Sequence, residues 1–403
     1  MIMDAHGFKT TNEDRLSRIQ CSILNAAEQT IENAVALPPS AYIDADFYNW
    51  EVEHIFKKQW LCVGHVSQLP NPGDYFNINL LNEPMVVVRS KDGKVRVLSR
   101  VCPHRAMDIM PQAYGHPPKG NRRSFVCPYH NWSFDLNGQL VGAPEMQKSE
   151  GFNRKEICLH NFRTEIWEGF IFITFDPNLE PVSVHYTGLL PYVERWNIAQ
   201  MEMVADLQWD CNFNWKVLVE NAIEAYHQLG AHPETFEPIM PAVGSWTEPE
   251  TPNYLVLHLP LANQIVEQAK AGNATVDFKP PHTLKAEDYY EYTVYLGEPV
   301  FLLFVGPDRV YWFFILPEGP DKVTLRTTLL VTPESKQADD YEQILEREID
   351  ALKRFHMEDM EVCTAVQQGL RSSTYSPGPL SHLEMPILLF YRYLASRIRE
   401  VSN

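Results

Sequence analysis

A chain of 403 residues, 45% hydrophobic and 21% charged, is long enough for two or three domains with sizeable cores. Its net charge of −18, with no basic stripe, argues against a nucleic-acid partner, and no apolar run approaches the roughly 18 residues of a membrane span. Seven cysteines spread thinly over this length, with no basic-then-apolar leader over Met1 to Thr10, point to a reducing cytoplasm rather than a disulfide scaffold.

The first stretch is polar. A helix is expected over Glu13 to Ala36, ended by Leu37-Pro38-Pro39, and a second helical segment over Ala41 to Gln59. Strand patterns follow at Gly73 to Leu80, Pro84 to Arg89 and Val95 to Leu98, with Lys91-Asp92-Gly93 as a hairpin turn. Short strands and turns run on to Phe175-Asp176-Pro177. The expected division is a helical segment over 1–59, a small all-β domain over 60–178 and a further domain over 179–403. The last of these opens with helical pieces and the strand-like Met203 to Phe213. Residues 233–297 show no clear period and read as a lid or binding loop. Strands are expected at Val300 to Val305, Arg309 to Leu316 and Lys322 to Val331, with a turn over Pro317 to Pro320, then a long helix over Ala338 to Gln368. There is no phosphate-binding glycine loop.

Two constellations carry chemistry. In the β-domain, Cys102-Pro103-His104 and Cys127-Pro128-Tyr129-His130 place two thiols and two imidazoles on short loops. Such a quartet suits a tetrahedral zinc or a two-iron cluster whose outer iron takes two histidines, and spacing separates neither. Downstream, Asn214 begins a helix on which Glu220, Glu224 and His227 share one face. Gly230 offers a stop, so that the chain can turn and present His232 beside His227. Two imidazoles with nearby carboxylates make a divalent-metal site; the plainer reading is a solvated acidic helix.

In the long helix, Leu345, Ile349, Leu352, Phe355, Val362, Val366 and Leu370 fall on one stripe, and Asp359 fills its single gap. A carboxylate on a core-facing stripe is costly unless salt-bridged or metal-bound. Glu358 and Glu361 fall off the stripe and are expected in solvent; His356 reads as structural. Tyr254, Tyr289, Tyr290, Tyr292, Tyr295, Tyr311 and Trp312 either form a cage for a quaternary ammonium or pack as alternating strand residues, which is commoner.

The residues around the Cys/His quartet, namely Pro72-Gly73-Asp74-Tyr75, Leu98-Ser99-Arg100-Val101, Arg105, Asn131-Trp132, Phe134-Asp135 and Gly138, resemble the Rieske [2Fe–2S] domain. Asn214-Trp215-Lys216, Glu220-Asn221, Glu224, Tyr226-His227, His232-Pro233, Glu358-Asp359 and Gln367-Gln368-Gly369-Leu370 resemble the catalytic domain of Rieske non-haem iron oxygenases. The likeness runs from about Tyr42 to Leu394 and includes Ser381, Glu384 and Phe390. Two departures stand out. Ala106 replaces a common glycine, and the loop between the two halves of the quartet is long.

The resemblance implies an α+β protein, with a Rieske β-domain inserted before a helix-grip (START/SRPBCC-like) catalytic domain of antiparallel sheet and long helices. It implies cysteine ligands Cys102 and Cys127 on one iron of the cluster and His104 and His130 on the other, with His227, His232 and Asp359 on a mononuclear Fe(II). Asn221 and Glu224 become the expected catalytic residues, Glu224 bridging His227 to His130 of a neighbouring subunit. Family members commonly carry aspartate there, and those acting on quaternary ammonium compounds carry glutamate. The implied activity is that of a terminal oxygenase. It uses O₂, and electrons from NAD(P)H through a separate reductase, possibly with a ferredoxin, to hydroxylate an aromatic ring or a C–H or N-alkyl group. A head-to-tail homotrimer, or a multiple of one, is expected. A cluster-only electron carrier and a structural-zinc protein are the competing classes.

Overall fold

The computed structural model describes residues 12–273 and 276–402; the leader reading over Met1 to Thr10 lies outside them. The chain divides into two compact units, one over 58–185 and the other joining the segment up to Lys57 with Tyr186 onward.

In the 58–185 unit, hairpin chemistry lays down the sheet. Leu81 and Asn82, both at positive φ, turn Asp74–Leu80 back into Glu83–Arg89, as a two-residue turn requires. Gly93, at φ 80°, makes the next turn into Val95–Ser99 where the sequence placed it. These strands belong to a seven-stranded antiparallel sheet, completed by Leu61–His65, Phe170–Thr174, Asn161–Trp167 and Lys119–Asn121. The long loop between the Cys/His halves thus supplies an edge strand, pairing Tyr75 with Gly120. A three-stranded sheet of Phe125–Val126, Ser133–Phe134 and Leu140–Gly142 lies beside the quartet. Val86, Leu98, Phe125 and Phe134 form the core, and Cys102 and Cys127 are buried in the same cluster.

The other unit is built on a second seven-stranded antiparallel sheet, in the order Glu202–Cys211, Lys322–Val331, Val310–Gly319, Phe301–Val305, Glu291–Gly297, Tyr254–Pro260 and Trp246–Thr247. The 29-residue helix Tyr341–Gly369 lies on this sheet. Its Phe355 meets Tyr311 at 6.2 Å between ring centroids and its His356 meets Phe313 at 5.3 Å.

Several sequence expectations are corrected here. Residues 233–297 are not an irregular loop, because Tyr254–Pro260 and Glu291–Gly297 pair in register inside the sheet. Both strands are buried on consecutive positions, so neither shows the alternation that marks a half-exposed strand. The N-terminal helix stops at Ala27 rather than Ala36, since Val35 pairs with Pro379 and the Ala36 N–H donates to the Gly378 carbonyl. The next segment splits into Ser40–Ile43 and Ala45–His54, with the Asp44 carboxylate accepting the N–H groups of Asp46 and Phe47 as a helix cap. The buried stripe of the long helix also differs. It runs through Glu348, Leu352, Phe355, His356, Cys363, Gln367 and Leu370, while Val366 is exposed. Three of those seven residues, Glu348, His356 and Gln367, are polar, so apolar periodicity alone pointed about one position away.

Candidate metal centres

The Cys/His quartet sits on two loops with the same backbone plan. The Cys102 N–H donates to the Met107 carbonyl and the Ala106 N–H to the Cys102 carbonyl, at 2.8 and 2.9 Å. The Cys127 N–H donates to Trp132 and the Asn131 N–H to Cys127, at 2.8 and 3.0 Å. Each loop closes on a left-handed residue, Ala106 at φ 56° and Asn131 at φ 58°. That conformation explains why glycine is common where this chain has Ala106. The cysteines are buried and the histidines half-buried. The two imidazoles lie 4.6 Å apart, and His104 stacks on Trp132. Nδ1 of His104 and Nδ1 of His130 are buried without a protein hydrogen-bond partner. Burial pushes the Cys102 thiol up to about 11, so a cysteinate there calls for a bound cation. Two inner sulfurs and two orphaned outer nitrogens fit a cluster whose irons differ in ligand type.

The second set of donors starts from a helix held at its base. Asn214 caps Trp215–Ala222 by accepting the Lys216 N–H at 2.9 Å. Lys216 Nζ donates to Glu51 at 2.6 Å and Trp215 Nε1 donates to the same carboxylate at 3.1 Å. This ties the helix to Ala45–His54. It ends at Ala222, not near Gly230 as expected, and a separate short helix covers Gln228–Ala231. His227 and His232 flank that short helix as its two caps. One turn of helix, rather than a glycine stop, brings the two rings to 5.2 Å.

Asp359 joins them from the long helix. Its Oδ1 lies 2.9 Å from His232 Nε2 and 3.6 Å from His227 Nε2. One ligand atom from each of the three falls within 4.8 Å of the others. On the far side of each ring, His227 Nδ1 meets Glu224 Oε1 at 2.6 Å and His232 Nδ1 meets Glu358 Oε2 at 2.7 Å. Each glutamate therefore holds one nitrogen and leaves Nε2 facing the shared point. Burial alone would raise the Asp359 carboxyl, but the hydrogen bond from His232 and the nearby His227 keep it below its ordinary value. Burial pulls His227 down, yet Glu224 and then Asp359 raise it overall. His356 is set apart, its Nε2 bonded to Thr327 Oγ1 at 2.7 Å and burial pushing it down to about 4.

Glu358 corrects the sequence reading, which placed it in solvent. It is held by His232 and also accepts from Thr235 Oγ1 at 2.7 Å. The signal available was chemical: a ligating histidine calls for a partner on its second nitrogen, and Glu358 neighbours Asp359. Glu358→Ala, which removes the oxygen that holds His232 Nδ1, is expected to weaken metal retention by about 10- to 100-fold, read by titration of the apo protein with ferrous ion.

Glu220 also departs from expectation. It accepts the Tyr42 hydroxyl on both oxygens, at 2.9 and 3.0 Å, instead of facing the trio. Burial raises its carboxyl from 4.5 to about 8. The folded chain thus keeps a proton that the unfolded chain releases, so stability falls as pH rises through that window. The slope is at most about 1.4 kcal/mol per pH unit. Glu220→Gln is expected to flatten this loss in melting curves taken across the window.

The trio opens on a cavity of about 60 Å³ whose lining includes Asn221, Leu218, Phe236, Phe304, Phe313 and Met360. Of the aromatic residues read from sequence as either a cage or, more commonly, sheet packing, Tyr289, Tyr292 and Tyr311 line a neighbouring cavity. Tyr290, Tyr295, Tyr254 and Trp312 line neither. Tyr295 packs on Tyr192 at 6.3 Å, and Tyr254 fills the space beside Gly188.

A β unit with paired Cys/His loops, followed by a helix-on-sheet unit with two histidines and a carboxylate, has the architecture of a Rieske non-haem iron protein. The chain belongs to the ring-hydroxylating alpha-subunit family, whose catalytic-domain model matches residues 198–400, with the Rieske [2Fe–2S] domain model matching 59–163. The two domains imply a Rieske cluster and a mononuclear iron used with O₂. The carnitine monooxygenase oxygenase subunit of Acinetobacter baumannii is 32% identical over 223 residues, covering 52% of this chain and 58% of that protein. The chain thus spans little more than half the length of that relative. The glycine betaine monooxygenase oxygenase subunit of Chromohalobacter salexigens is 26% identical over 375 residues, covering 86% and 82%. The solved structure of a quaternary ammonium Rieske monooxygenase shares the fold, with a TM-score of 0.78 and 24% identity over 91% of this chain and 96% of that one.

Proposed function

We propose that this chain is the terminal oxygenase component of a Rieske-type oxygenase that hydroxylates a small organic substrate. The observation that carries the reading is the trio of His227, His232 and Asp359, gathered within 4.8 Å beside an apolar cavity. Two histidines and one carboxylate on one side of a metal leave positions free for O₂ and substrate. In this reading those three residues hold the iron, and Cys102, Cys127, His104 and His130 hold the cluster. When bound, the iron supplies O₂ activation and the cluster supplies electrons, drawn from NAD(P)H through a separate reductase, with or without a ferredoxin.

The chain's own residues do the positioning. Glu224 and Glu358 fix the ring orientation of His227 and His232. Phe236, Phe304 and Phe355 keep water from the cavity, and Asn221 supplies a polar edge on its wall. Glu224 is also the residue proposed to couple His227 to His130 of a neighbouring copy in a head-to-tail trimer. Among substrates, an N-alkyl or quaternary ammonium compound is favoured over an aromatic hydrocarbon. The names of the relatives support this choice, as does glutamate rather than aspartate at position 224. None of the seven cysteines is paired in a disulfide, which suits a reducing cytoplasm. Among the described residues no helix is long and apolar enough to cross a membrane.

The test is substrate-dependent O₂ uptake with a surrogate reductase, screened over quaternary amines and aromatic acids. Iron and acid-labile sulfide are measured alongside. The oxygenase reading requires about three irons and two sulfides per chain, a cluster-only carrier about two and two, and a structural-zinc protein none.

A further inference from the structure

The cavity at the trio is small, but it is not alone. A second chamber of about 360 Å³ adjoins it, and Phe236, Phe304 and Phe355 border both. With Tyr311 these rings form a closed circuit. Phe304 meets Tyr311 at 5.7 Å, Tyr311 meets Phe355 at 6.2 Å, Phe355 meets Phe236 at 4.8 Å and Phe236 meets Phe304 at 5.9 Å. Tyr292 extends the wall into the larger chamber, 5.1 Å from Phe304. It can lie there because residue 306 is glycine. A Cβ at Gly306 would collide with the Tyr292 ring, so the missing side chain keeps that ring back and the chamber open.

The larger chamber also has a charged wall, which includes Asp277, Arg309 and Glu348. Arg309 Nε donates to Asp308 at 2.7 Å, Nη2 to Asp277 at 2.8 Å, and Nη1 to Glu348. Glu348 also accepts the Tyr311 hydroxyl, and the second oxygen of Asp277 takes Arg347 at 2.6 Å. Three carboxylates stand against two guanidinium groups, so the cluster keeps one negative charge in excess. Each nitrogen of Arg309 is already committed to a carboxylate. An anionic ligand therefore meets no unengaged cation among the described residues lining this chamber. A cation meets the excess charge and the rings of Tyr289, Tyr292 and Tyr311 in the chamber wall, the combination that attracts ammonium groups.

We propose that the substrate pocket has two parts. The larger chamber binds the cationic end of an elongated substrate, and the apolar cavity at the trio receives the carbon to be oxidised, remote from that charge. Tyr292 and Gly306 then set how long a substrate is accepted. The proposal rests on the oxygenase reading for its second half only; the binding preference of the chamber stands by itself.

The experiment uses the full chain with its metals and four probes, n-octyltrimethylammonium, 1-octanol, octanoate and tetramethylammonium, titrated by calorimetry. The octyl cation is expected to bind at least about tenfold tighter than each of the others. Ala269→Phe and Ala351→Phe fill the larger chamber from two different helices. Each is expected to weaken the octyl cation by about tenfold or more, with unchanged melting temperature, iron and sulfide. Equal affinity for octanoate or octanol overturns the proposal. So does undiminished binding of the octyl cation in both filled variants, provided they melt as the parent does. A shortfall of iron with the binding order intact would instead remove the oxygenase reading and leave the cation chamber standing.

Discussion

Asp359→Ala is expected to lower iron from about three to about two per chain, with sulfide unchanged, and to abolish substrate-dependent O₂ uptake. Asp359 is the one carboxylate in the trio, and its Oδ1 is the atom both Nε2 nitrogens face. Without it two neutral imidazoles remain, a donor set with no charge to offset that of a ferrous ion. The loss is confined to this centre because Cys102, His104, Cys127 and His130 lie in the other compact unit. Asp359→Asn keeps the shape and a carbonyl oxygen, and should retain part of the iron. Full iron and full uptake in the alanine variant would show that Asp359 is only an ion-paired buried aspartate.

Glu224→Gln is expected to keep both metals and lose most of its turnover, by about 10- to 100-fold or more. Glu224 is buried. One carboxylate oxygen takes His227 Nδ1 at 2.6 Å, and the other accepts the backbone N–H groups of Tyr226 and His227. Glutamine preserves the length and, with its oxygen toward Nδ1, keeps the ring oriented; its amide nitrogen cannot accept the two backbone N–H groups, and the charge is lost. If the charge serves only to orient His227, iron affinity should fall along with rate. If it couples the two centres, the rate of cluster reoxidation should fall while iron content holds. Stopped-flow absorbance of the cluster separates the two cases, and unchanged turnover would remove Glu224 from the coupling.

The Cys/His loops were legible because each is a local device. A cysteine, a proline and a histidine within a few residues, ended by a left-handed residue, make a loop that needs no distant partner to be recognised. The hairpin at Gly93 was legible for the same reason. Glu358 was not. Its role depends on the second nitrogen of His232, which lies 126 residues away in sequence, and no local pattern encodes that distance. The stripe argument reached Asp359 although its apolar register was about one position off. The true inner face carries Glu348, His356 and Gln367, each polar and invisible to a hydrophobic count.

By itself the sequence determined the β-domain loops, the hairpin strands of the first sheet, four strands of the second, the long helix that ends at Gly369 and the residue types able to bind metal. Short-range sterics and binary patterning act within a few residues, so they can be read without a fold. Only the tertiary structure decided that the helix capped by Asn214 stops at Ala222, that residues 233–297 add three strands to the sheet, and that two glutamates stand behind the two histidines. It alone decided that a second, charged chamber adjoins the first. Those features come from register between distant strands and from which side chains close packing brings together, which no run of neighbouring residues specifies.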